Sequence, residues 1–73
     1  MEEYELLIEA INPCGGSAHA TRTILEIETD DPERYVRENA VFPIIDTGKN
    51  SDGDLVITTG DGKGYITKYT FSL

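Results

Sequence analysis

Leu55-Val56-Ile57-Thr58-Thr59 and Tyr65-Ile66-Thr67-Lys68-Tyr69-Thr70-Phe71 flank Gly60-Asp61-Gly62-Lys63-Gly64. Both flanks are rich in β-branched and aromatic residues, which suit a pleated, half-buried surface. The centre is turn chemistry. The stretch therefore predicts an antiparallel hairpin, and with it an antiparallel sheet. A two-residue Asp61-Gly62 turn would set Leu55 opposite Lys68 and mix the faces. A three-residue Gly60-Asp61-Gly62 loop with Gly62 left-handed sets Ile57 opposite Tyr65 and Leu55 opposite Thr67. It also sets Asp54 against Lys68, a favourable cross-strand pair. The second register is preferred, because it gathers Leu55, Ile57, Tyr65, Thr67, Tyr69 and Phe71 on one face.

Upstream, Ala40 to Asp46 is an apolar run interrupted by Pro43. Proline cannot donate to a ladder, so this run is an edge strand or irregular packing. Thr47 to Gly53 is a polar turn region. Its Asn50 and Asp52 fall at two ligand positions of an EF-hand loop. However, Gly48 and Thr59 then occupy positions that need carboxylates, so turn chemistry explains the segment better. Asp30-Asp31-Pro32-Glu33 is a helix start: Asp31 caps, Pro32 suits the first helical position and Glu33 complements the dipole. The helix is predicted from Pro32 to about Asn39, with Tyr35 and Val36 anchoring it and Arg34 and Arg37 exposed.

Residues 3–11 and 21–29 read as two strands by their alternation. Tyr4, Leu6, Ile8 and Ala10 share one face of the first. Thr23, Leu25 and Ile27 face inward on the second. The expected fold class is α+β, in the order β-β-α-β-β-β with the third strand left open. It has a small, mainly antiparallel sheet and one short helix packed on one face. A second apolar set, Leu7, Ile11, Ile24, Val56 and Ile66, falls among charges on the opposite face. Such a face suits a partner or a dimer.

The chain has 73 residues and is expected to form one domain, 1–73. Fourteen Asp and Glu against six Lys and Arg give a net charge of −8. That charge disfavours a phosphate backbone and anionic membrane surfaces, so neither nucleic acid nor membrane is expected as a partner. No apolar run reaches the length of a membrane span. The acidic Met1-Glu2-Glu3-Tyr4 is unlike a basic signal segment, and a cytoplasmic location is the default expectation.

Chemistry concentrates in Asn12-Pro13-Cys14-Gly15-Gly16-Ser17-Ala18-His19, which holds the only cysteine and the only histidine. This 12–20 segment reads as a loop between the first two strands. His19 is suited to act as base or counter-ion to a Cys14 thiolate. Gly15 and Gly16, with Arg22 close behind, form a candidate anion-binding loop. Two copies of Cys14 and His19 across a homodimer would complete a tetrahedral metal set, which one chain lacks. No resolving cysteine or nucleophile elbow accompanies the thiol. The glycine-rich 60–64 segment has no following helix and is not a phosphate-binding P-loop. Tyr65, Tyr69 and Phe71 read as core, because stacking on bases goes with basic grooves. The leading expectation is a non-catalytic accessory or protein-interaction domain without a cofactor, acting on a protein partner or by self-association. The thiol or metal site at Cys14 and His19 is the alternative.

Overall fold

A computed structural model describes residues 2–11, 21–62 and 64–73. It contains β1 (Glu2–Ile11), β2 (Thr21–Thr29), α1 (Pro32–Asn39), β3 (Ile44–Lys49), β4 (Leu55–Gly60) and β5 (Ile66–Ser72). The strands form one five-stranded sheet in the order β2-β1-β5-β4-β3, and every neighbouring pair is antiparallel. The expected α+β class with one short helix on one face is what the chain adopts.

The helix begins where the sequence predicts. Asp31 accepts from the Arg34 N–H at 3.2 Å, and Pro32 opens the first turn. The Thr29 hydroxyl donates to the Asp31 carbonyl, while its oxygen accepts from the Asp31 N–H, both at 3.2 Å. This double contact fixes the entry from β2 into α1. Val36 is fully buried, and the Tyr35 ring meets the Phe71 ring edge-on at 6.2 Å. A helix this short has little stability of its own, so these contacts hold it to the sheet. Arg34 and Arg37 are exposed and pair along the helix with Asp30, Glu33 and Glu38.

The core lies between α1 and one face of the sheet. Leu6, Val36, Ile57, Tyr69 and Phe71 are its buried centre. Two rows run across the strands beneath the helix. Leu25, Leu6, Phe71 and Leu55 stand in one; Ile8, Tyr69 and Ile57 stand in the next. Tyr4 packs edge-on against Phe71 at 5.7 Å.

These rows correct the expected hairpin register. Ile57 stands opposite Tyr69 and Leu55 opposite Phe71, not opposite Tyr65 and Thr67. The strands separate after Gly60, and the connection is closed between Asp61 and Tyr65. The Asp61 carboxylate accepts from the Tyr65 N–H at 3.2 Å. Gly62 is left-handed as expected, but Gly64 is too, with φ of 79° and 108°, and the connection runs from Asp61 to Tyr65 instead of spanning three residues. The slip preserves the faces while aligning β5 with β1 as well as β4. The expected Asp54–Lys68 pair is replaced, since Lys68 faces Thr58 and Glu9. Tyr65 precedes β5 and stacks on Phe42 at 6.2 Å.

The third strand is an edge strand, but it spans Ile44–Lys49, not residues 40–46. Pro43 lies just before it and accepts from the Gly60 N–H at 3.1 Å. Polar residues Asp46 to Lys49 pair with β4 through their backbones, which shortens the expected 47–53 turn. In what remains, the Asn50 side chain accepts from the N–H groups of Asp52 and Asp54 at 3.0 and 3.1 Å. Gly53 is left-handed at φ 85°.

Candidate functional site

Side chains alternate across a strand, so on each strand the residues that alternate with the core-facing Leu6, Leu25, Ile57 and Tyr69 point away from α1. The apolar set Leu7, Ile11, Ile24, Val56 and Ile66 lies on that second face, as expected. It is ordered into rows. Ile24 faces Leu7, Leu7 faces Thr70 and Thr70 faces Val56. Beside that row, Arg22, Glu9, Lys68 and Thr58 stand in line. On its other side Glu26 faces Glu5, and beyond it Glu28 faces Glu3. Among the described residues, the one helix packs on the opposite face and nothing covers these rows.

The two edges of the sheet differ. β3 is short, carries a bulge between Ile44 and Asp46, and follows a proline. Such features blunt an edge against further pairing. β2 has nine residues with no proline or glycine, and its register with β1 is unbroken. Residues 21–26 are exposed on both faces in succession. Ile24 is 65% exposed and Leu25 39%. A long, regular edge without proline, glycine or bulge, bearing large apolar side chains, is the surface that strand addition uses.

Arg22 lies on β2, and its Nε is 3.3 Å from a Glu9 carboxylate oxygen. It thus takes part in a cross-strand pair on the uncovered face. Cys14, Gly15, Gly16 and His19 lie outside the described residues. Among the described residues, no three His, Cys, Asp or Glu side chains group as metal ligands. Glu3, Glu5, Glu26 and Glu28 line a shallow groove together with Tyr4, Ile27 and Leu73.

Sequence reasoning found the uncovered apolar set but not its edge. That β2 lies outermost follows from β1 being shared between β2 and β5, a long-range pairing that alternation does not encode. The readable signal was β2 itself, nine residues without a breaking residue. No helix among the described residues is long and apolar enough to cross a membrane. Compared with protein-family models, curated proteins and solved structures, the chain shows no match.

Proposed function

We propose that this chain is a small, non-catalytic interaction domain of the cytoplasm that engages a protein partner by strand addition along β2. The observation that carries this reading is the exposure of residues 21–26 on both faces of an edge strand without proline, glycine or bulge. Backbone groups of such an edge supply affinity, and the alternating side chains supply selectivity. Ile24 and Leu25 offer apolar contact on the two faces, framed by Arg22 and Glu26. The charge of −8 supports a protein partner over a nucleic acid or an anionic membrane. A chain with a single cysteine suits a reducing compartment.

The test compares the chain with its Ile24→Lys variant, because an edge lysine opposes strand addition. Self-association by sedimentation and capture of proteins from a lysate are measured for both. Association that is strong for the parent and at least about tenfold weaker for the equally folded variant is expected. Association that is equal for both, or absent from both, overturns the reading.

A further inference from the structure

Resting on the reading of β2 as a docking edge, we infer that its partner is a second copy of this chain. The two β2 strands run antiparallel about a two-fold axis beside Ile24. Exposure sets the register. Residues 21–26 are exposed, whereas Ile27 is half-buried and Thr29 is covered. An antiparallel pair centred on Ile24 uses residues 21–27. Ile24 then faces the partner's Ile24, Thr23 faces the partner's Leu25, and Arg22 faces the partner's Glu26. A pair centred on Leu25 would draw in the covered Thr29 and set Ile24 against a glutamate.

Charge selects the same arrangement. Within one chain Glu26 stands opposite Glu5, and like charges directly opposite are destabilising. Among the described residues neither carboxylate has an ion-pair partner. Arg22 touches Glu9, yet its side chain is 75% exposed, and a guanidinium carries five donors. The two-fold brings each Arg22 to the Glu26 of the other chain, so both repulsive pairs gain a cation. A parallel copy would instead set arginine beside arginine and glutamate beside glutamate.

The apolar row follows. Leu7 and Ile24 are neighbours on the uncovered face, and across the axis they continue into the partner's Ile24 and Leu7. The product is a continuous sheet of twice five strands with both helices on one side. Closed two-fold pairing also consumes the open edge, which otherwise templates unlimited addition.

The experiment is sedimentation equilibrium of the full chain at low salt, with three variant samples. The parent mass is expected to rise with concentration from 8.1 kDa toward twice that value. Glu26→Arg sets Arg22 against a second arginine, and Arg22→Glu sets Glu26 against a second glutamate. Each alone is expected to weaken association at least about tenfold. Mixing the Arg22→Glu chain with the Glu26→Arg chain restores two complementary pairs and the dimer. A parent that stays monomeric at millimolar concentration overturns the inference. So does a Glu26→Arg chain that dimerises as tightly as the parent, or a folded mixture that remains monomeric. Should Arg22→Glu fail to fold, Glu26→Arg decides alone, since opposite Glu5 it gains a favourable cross-strand pair. A monomeric parent that still captures a protein through Ile24 overturns self-pairing and leaves the interaction reading standing. Loss of both overturns both.

Discussion

Glu5 and Glu26 stand directly opposite each other across β1 and β2, on the face the helix leaves uncovered. Two residues further along the ladder, Glu3 and Glu28 repeat the arrangement. Four carboxylates therefore share one corner of the sheet. The cost is electrostatic and falls on the folded chain, because the extended unfolded chain holds these groups further apart.

Glu5→Lys converts the repulsion into an opposite-charge pair. The expected gain is about 0.5 kcal/mol, within the usual range for cross-strand pairs. It is read as a higher urea midpoint at low ionic strength and at a protein concentration where the chain is monomeric. Salt should erode the gain, since both groups are exposed and screening acts strongly there. A midpoint that does not move at low salt, or a gain that persists unchanged at high salt, speaks against the repulsion.

Phe71 and Ile24 show how differently two apolar residues of this sheet are used. Phe71 is 2% exposed and lies between Leu6 and Leu55 in its row, with Tyr4 and Tyr35 at its edges. Phe71→Ala is expected to cost about 3–5 kcal/mol. A chain of this size has roughly 4–11 kcal/mol in all, so the loss is a large fraction of the total and should appear as a clearly lower urea midpoint by circular dichroism. Ile24→Ala should change the stability of the monomer by less than about 0.5 kcal/mol. Comparable losses at the two sites would mean that Ile24 is covered after all.

Much of this arrangement was legible in the sequence, for definite reasons. Asp31-Pro32-Glu33 carries its own start signal, and α1 begins there. Period-two alternation puts Leu6 on the apolar face of its strand and Ile57, Tyr69 and Phe71 on one face of the hairpin, and the four are buried together. Alternation fixes parity only, however. A slip that keeps Leu55 and Phe71 on the same face leaves the pattern unchanged, and the observed hairpin register differs from the expected one in that way. Its true value depends on the Asp61–Tyr65 closure and on β1 lying against β5. β3 reaches Lys49 because backbone pairing does not require apolar side chains, so Asp46 to Lys49 read as turn. The edge position of β2 arises from strand order, which no local pattern encodes. The expectations at Cys14 and His19 fall outside the described residues.

Gly48 within β3 and Gly53 in the β3–β4 connection should respond to alanine in opposite directions. At Gly48 an added Cβ meets nothing within 4 Å and φ is not left-handed. Gly48→Ala removes freedom from the unfolded chain without native strain, a gain of about 0.4–1 kcal/mol. At Gly53 the space is equally open, but φ is 85°. Gly53→Ala is expected to cost about 1–2 kcal/mol through backbone strain. Paired thermal melts check the sign of both. Destabilisation at Gly48 would show that β3 needs its glycine for something other than backbone freedom.

Tyr69 gives the fold a pH dependence at its alkaline limit. Burial raises its pKa above the ordinary value near 10, and the neighbouring Tyr35 adds to the shift. The unfolded chain therefore releases this proton first. Below about pH 10 the phenol is protonated in both states and contributes no slope. Above it the unfolded state binds fewer protons than the native one, so stability falls as pH rises toward the folded value. Tyr69→Phe keeps the ring, which lies between Ile8 and Ile57 in its row, and removes the proton. Urea unfolding at pH 9 and pH 11 should show a smaller alkaline loss for the variant. The remaining side chains are common to both chains, so the difference between the two losses reports Tyr69. Equal losses would mean that Tyr69 ionises alike in the folded and unfolded chain, and that its phenol is not held in the apolar layer under α1.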